Sequence, residues 1–325
     1  MLLTLVYWKS VSQTLSFRNN NANMQQSDIA FKFGNPIIKD KYTADPTALV
    51  YDDTVFIYTG HDEAPVGTEK YVMNDWLCFS SRDMVNWTAY PSPLKATDFK
   101  WSNGKAYASK VIEHNREFFW YVAVNHATEA GAAIGVAISK KPTGPFVDAR
   151  GSALVTIGML PQYVDEKANL DPTVIIDDNG QAYIFWGNKT CYYAKLKKSL
   201  IELDGPIRIL QLPGFEEGAN IHKRNGWYYL SFGYQMPEKV AYAMSRNIGG
   251  PWEFKGILSE IAGNCETNRA AILDFKGKSY YIYHNGALKN GGSHRRSVCI
   301  DYLYYNPDGT IKRVIMTSEG VKQVK

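Results

Sequence analysis

Three acidic residues stand at matching places in a chain that repeats itself: Asp45 in TADPTALVY, Asp171 in LDPTVII and Glu217 in EEGANIH. Carboxyl groups gathered in one pocket can do general acid–base work, because like charges held close push one another's pKa values apart. The match comes from five segments, each with a β-rich stretch, a polar turn and an aromatic-rich stretch. They are ADPTALVYDDTVFIYTG (44–60), KAYASKVIEHNREFFWYVAVN (105–125), LDPTVIIDDNGQAYIFWGN (170–188), EEGANIHKRNGWYYLSFGY (216–234) and TNRAAILDFKGKSYYIYHNG (267–286). Aligned on their turns at Asp53, Asn115, Asn179, Asn225 and Lys276, the residues eight positions earlier are Asp45, Tyr107, Asp171, Glu217 and Asn268. An Asp-Pro pair can simply start a strand with its acid in water. Acids in three of five equivalent slots point instead to a shared site.

The elements that must position these acids are hairpins. Behind each segment comes a second one: LCFSSRDMVNWTAY (77–90), IGVAISKKPTGPFVDA (134–149), CYYAKLKKSLIELDGPI (191–207), VAYAMSRNIGGPWEFKGI (240–257) and SVCIDYLYYNPDGTIKRVI (297–315). Their Gly-Pro, Asp-Gly and Pro-Asp-Gly turns suit hairpin loops. Two hairpins make a unit of four antiparallel strands, and five such units predict an all-β, five-bladed β-propeller. No sustained helical period supports an α/β barrel. In a propeller the first strand of each blade lines the central channel, so the five slots face one another. If the carboxyls lie about 4–5 Å from the axis, Asp45 and Glu217 come ~8–9 Å apart, inside the inverting range of about 6.5–9.5 Å. Asp171 and Glu217, on neighbouring blades, come ~5 Å apart, close enough to tune each other.

Composition limits the alternatives. A formal charge of +4 with no long basic run gives little support for nucleic acid or a membrane surface as partner. Aromatic residues reach 14%, which suits β packing and also platforms for sugar rings. Cys78, Cys191, Cys265 and Cys299 show no metal-ligand spacing and read as buried free thiols. Residues 1–26 read as a leader or degenerate signal segment, leaving 27–325 as the catalytic propeller. That leader points to a periplasmic or secreted protein, with a cytoplasmic one as the alternative.

The three acid motifs, with YYIYHNGALKNGGSHRRSVCIDYLYYNPDG, resemble glycoside hydrolase family 43 from about Asn35 onward. The resemblance implies that Asp45 is the general base activating water, Glu217 the general acid, and Asp171 the residue that raises the pKa of the acid and orients it. It also implies that His284 helps hold a hydrated calcium at the channel centre, a possible structural ion rather than a required cofactor. Arg295 would contact the sugar or the acid, with Arg296 as the alternative, since a one-residue slip swaps their faces. Trp76, Trp101 and Tyr107 are candidate sugar-stacking residues, although Trp in such strands is more often core, and Asn268 fills the fifth slot. GHDEAP, DWLCFSSRDMVNW and RRSVC look most like exo-acting α-L-arabinofuranosidase and β-xylosidase members, with arabinoxylan, arabinan or xylo-oligosaccharide as substrate. An endo-arabinanase, a sugar-binding propeller without catalysis and the retaining fructan-hydrolysing clan are the competing readings. The chain lacks the last group's W-x-N-D-P-N-G signature, and HExxH and G-x-S-x-G are absent too.

Overall fold

The computed structural model describes residues 34–163 and 165–325; the expected leader over 1–26 lies outside the described residues. Five antiparallel sheets follow one another along the chain. Blade one consists of Thr43–Tyr51, Thr54–His61 and Asp75–Ser81, with the short strands Thr88–Ala89 and Leu94–Lys95 both on the third. Blade two is Ser102–His114, Glu117–His126, Ala132–Ser139 and Val147–Asp148. Blade three is Thr173–Ile176, Ala182–Trp186, Cys191–Leu196 and Arg208–Leu210, and blade four Asn220–Arg224, Trp227–Tyr234, Lys239–Ser245 and Glu253–Ser259.

Blade five corrects the expectation of four strands throughout. It has three, Ala271–Phe275, Lys278–Asn285 and Ser297–Leu303. The edge that a fourth strand would cover is met by the start of the described chain. Ile37 donates its N–H to Val298 O at 2.9 Å, and Asn35 bridges Ile300 through its side chain. The 297–315 segment turns back through only an isolated Tyr305–Ile311 bridge.

The first strands touch one another in ring order, one to two and onward to five, and five again to one. A closed ring removes exposed sheet edges at its centre. The aromatic-rich second strands fill the spaces between blades. Tyr58 and Trp120 meet edge to face at 4.9 Å between blades one and two, and Trp186 and Tyr192 pack in the cluster between two and three. Each such side chain contributes roughly 1.5–3 kcal/mol by burial. All four cysteines are buried free thiols in this packing.

The turns after the first strands explain the register. In blades one, two, four and five a two-residue loop closes the hairpin, with positive φ at Asp52 and Asp53, Asn115 and Arg116, Asn225 and Gly226, Lys276 and Gly277. Such mirror-image turns match the twist of paired strands and favour Asn, Asp and Gly. Blade three has the longer loop Asp177–Gln181, closed by Asp177 N–H to Gln181 O at 2.9 Å.

Candidate active site

Each acid sits where its first strand carries one residue too many. Ala44 pairs with Gly60 and Thr47 with Tyr58, so the first strand advances three residues while its partner advances two. The same excess occurs between Leu170 and Thr173, set against Gly187 and Phe185. It recurs between Glu217 and Asn220, set against Gly233 and Ser231. A β-bulge of this kind re-aims one side chain. Asp45 and Asp171 take it up with φ of 48° and 58°, and next to Glu217 it is Gly218 with φ of 70°. Among non-glycine residues Asp tolerates that region well. The bulge also separates Glu217 from Glu216, whose carboxylate turns outward to Lys189.

The three carboxyls line one cavity together with Tyr71, Met73, Tyr107, Ala108, Lys167, Leu170, Thr267 and Arg296. The cavity is narrow, with a volume of about 80 Å³. Asp45 and Glu217 are half-buried, while Asp171, also on the lining, is the most deeply buried of the three. That difference assigns contact with a ligand to the first two and an indirect part to the third.

Electrostatics divide them further. Burial pushes the Asp45 carboxyl up, but the Arg296 guanidinium, 3.0 Å away through Nη1, together with His284 and Arg269 outweighs it and holds Asp45 below the usual range. Arg296 is fixed by a two-pronged pair to Asp62, Nε to Oδ2 at 2.9 Å and Nη2 to Oδ1 at 3.0 Å. Glu217 goes the other way. Burial and the neighbouring Asp171 charge raise its pKa strongly, against an Asn188 amide donating to Oε2 at 2.5 Å. Asp171 is raised less: burial is opposed by Arg269 and by the Gly218 N–H, which donates to Oδ2 at 2.7 Å. Behind Glu217 lies a fourth carboxyl, Glu238, raised well above its ordinary value by burial and by Glu217. Near neutrality Asp45 is therefore an anion, and the proton of the buried acids resides on the Glu217 side.

Other expected residues are placed unevenly. Tyr107 lines the cavity, its hydroxyl donating to Asn125 Oδ1 at 2.9 Å. Arg295 does not: its guanidinium donates to the carbonyls of Asn290, Pro65 and Thr68. The arginine in the cavity is Arg296, because neighbours in the strand leading to Ser297–Leu303 face opposite ways. Trp76 is fully buried between blades one and two, with Nε1 donating to Tyr107 O at 2.7 Å. Trp101 packs on Phe99 and donates to Asp148, away from the cavity lining. Asn268 is buried beside Glu238, which accepts its backbone N–H at 2.7 Å, and is not part of the lining.

His284 is fully buried, and both its nitrogens are engaged. Nδ1 accepts the Asp45 N–H at 3.1 Å, so Nε2 carries the hydrogen and donates to Thr267 O at 2.8 Å. Burial, with Arg296 near, pushes its pKa down to about 4. A neutral imidazole with no free lone pair does not fit as a calcium ligand, and its evident task is to hold the Asp45 backbone. Among the described residues one group of three ligand-type side chains clusters, His61, Glu63 and Asp75. There His61 Nδ1 is already bonded to Asp75 at 2.9 Å.

Sequence reasoning missed Tyr71, Asn188, Glu238 and Arg269. Tyr71 lies over the Arg296 guanidinium, 5.0 Å from its ring centre, and against His294 at 4.4 Å. Asn188 did leave a signal. The second strands of blades two, three and five run into Asn125, Asn188 and Asn285, and two of these bond a slot residue, Tyr107 or Glu217.

Comparison with known proteins agrees with this geometry. The family model described as "Glycosyl hydrolases family 43" matches residues 33–311. An arabinoxylan arabinofuranohydrolase of Paenibacillus polymyxa is 30% identical over 89% of this chain and 53% of its own length. The chain spans about half to two thirds of the two curated relatives with this description. An α-L-arabinofuranosidase structure from Clostridium thermocellum superposes with a TM-score of 0.72 at 34% identity, covering 89% of this chain and 98% of that one. A β-xylosidase/α-arabinofuranosidase from a compost metagenome, solved with xylotriose in a calcium-free form, shares the fold with a TM-score of 0.77 at 24% identity, over 86% and 97% of the two chains.

Proposed function

The chain belongs to glycosyl hydrolase family 43, and from that premise we propose that it is an exo-acting, inverting hydrolase that releases single arabinofuranose or xylose units from arabinoxylan, arabinan or xylo-oligosaccharides. The observation that carries the reading is the opposite bias of the two cavity-facing acids. Asp45 is held ionised by Arg296, and Glu217 is held protonated by burial and Asp171. One pair of groups pushed apart in this way supplies a base and an acid at the same pH.

In the proposed reaction Asp45 takes a proton from water as its oxygen attacks the anomeric carbon. Glu217 gives its proton to the departing glycosidic oxygen, and the bond breaks with inversion. Asp171, the most deeply buried of the three, keeps that proton on Glu217 beforehand. The Tyr71 wall and the Arg296–Asp62 pair bound the cavity on the blade-one side, which favours a chain end over the middle of a chain. Arabinofuranose is placed first because the 30% relative and the 34% structural neighbour are both named for that activity.

A panel of nitrophenyl pentosides, with proton NMR of the first product, tests the proposal. The initial product should have the anomeric configuration opposite to the substrate's. Asp45→Asn and Glu217→Gln should each lower turnover by about 10²–10⁴ with circular dichroism unchanged. Retention of configuration, or near-wild-type turnover in either folded variant, would overturn the assignment.

A further inference from the structure

We propose that Arg269 is the axial positioning residue of this site: clamped by the backbones of three blades beneath the pocket, its guanidinium keeps Asp171 ionised and so keeps the proton on Glu217. This rests on the acid–base reading above. Arg269 precedes the first strand of blade five, yet it donates from Nη1 to Ser109 O of blade two at 2.7 Å. From Nη2 it donates to Pro172 O of blade three at 2.8 Å and to Ala219 O of blade four at 3.4 Å. One guanidinium can reach three other blades only from the channel axis.

The side chain is 3% exposed, and its hydrogen-bond partners among the described residues are carbonyl oxygens, with no carboxylate within ion-pair distance. A buried charge without an adjacent counter-ion is expensive unless an opposite charge lies close by. Asp171 is that charge. It shares two peptide segments with the clamp: Pro172, which follows it, and Ala219, which follows the Gly218 whose N–H it accepts. After burial, Arg269 is the leading influence on Asp171 and Asp171 the leading influence on Arg269. The other groups facing Asp171 are Asp45 from blade one, Glu217 and Glu238 from blade four, and Arg296 from blade five. Lys110 of blade two also neighbours Arg269, and burial with the Arg269 charge brings it down to about 8.

Removing a cation raises every carboxyl near it, and most of all the nearest. Without the Arg269 charge Asp171 should therefore hold a proton to higher pH. Part of the singly protonated population would then carry its proton on Asp171 instead of on the general acid. The acidic limb of kcat/KM should move up and the plateau fall.

Two variants separate charge from clamp. Arg269→Gln keeps N–H donors for the carbonyls but loses the charge, and should raise the acidic limb by about one pH unit. Arg269→Lys keeps the charge but loses the fork; its Tm should fall while its acidic limb stays at the wild-type position. An unmoved limb in Arg269→Gln, or a limb moved upward in Arg269→Lys, would overturn the proposal, and the Lys variant alone decides it if the Gln variant does not fold. Carbon-13 titration of the Asp171 carboxyl, assigned with Asp171→Asn, reads the same shift in the resting protein. If the wild type cleaves no pentoside, the hydrolase reading fails, and this titration still decides the role of Arg269.

Discussion

At the scale of single residues, the acids are distinguished by exposure and by their neighbours more than by type. Asp45 and Asp171 share a residue type, a Pro that follows and a left-handed backbone, yet one is held ionised and the other is raised. The difference is Arg296 at 3.0 Å from Asp45 against the deeper burial of Asp171. A bell-shaped pH profile follows, needing Asp45 and Asp171 ionised on the acidic side and Glu217 protonated on the basic side. Because Glu217 is raised, its limb should lie well above the ordinary carboxyl range. Asp171→Asn removes a negative charge beside Glu217, which makes losing the proton easier. The basic limb should then move down by about one to two pH units, and natural oligosaccharides should suffer more than activated aryl glycosides. Equal loss on both substrate types with the limb unmoved would give Asp171 a positioning or covalent role instead.

At the scale of the element, the bulge does what a regular strand could not. Counting eight residues back from each turn lands on cavity residues at Asp45, Tyr107, Asp171 and Glu217 but not at Asn268, and the anchors are not equivalent. Asp53 is the second residue of its two-residue turn, while Asn115, Asn225 and Lys276 are the first of theirs, and Asn179 lies in a longer loop. The count succeeds because composition marks the slot itself, through Asp-Pro twice and Glu-Gly once. Where no such mark exists the sequence is silent about facing, and so Arg295 and Arg296 could not be told apart. Their environments now make a sharp contrast. Arg296 is buried between Asp45 and Asp62, so Arg296→Met leaves carboxylates unpaired and should cost about 3–5 kcal/mol along with most activity. Arg295 ties the loop carrying Tyr71 through the carbonyls of Pro65 and Thr68. Arg295→Ala should leave Tm nearly unchanged and raise KM more than it lowers kcat, since it loosens one wall and touches no proton. Denaturant melts and steady-state kinetics of the two variants check this; matching losses would place both arginines in one network.

At the scale of the whole molecule, five repeats were legible because each blade copies the same hairpin, but closure of the ring was not. Closure depends on contacts between chain segments far apart, which leave no local periodicity. The seam between blades five and one is made by Asn35 against Ile300 and by the C-terminal segment. There Val324 donates its N–H to Asp83 O at 3.0 Å, and Val321 and Val324 enter the apolar cluster of Val55, Ile57, Ile282 and Ile300. The same seam runs through the active site. Asp45 of blade one takes its backbone support from His284 and its charge partner from Arg296, both of blade five. Loosening the seam should therefore disturb the base before it disturbs the acids on blades three and four. Truncating Val321 and Val324 together to Ala removes about four methyl groups, or ~3 kcal/mol at about 0.8 kcal/mol each. In contrast, Ile315→Ala, at a side chain 79% exposed, should change stability by less than about 0.5 kcal/mol. On slow heating the double variant should lose activity at a lower temperature than it loses far-UV ellipticity, whereas the wild type should lose both together. Coincident loss in the double variant would mean that the ring opens as one unit, and that the geometry of the base does not depend on this seam more than on the other four.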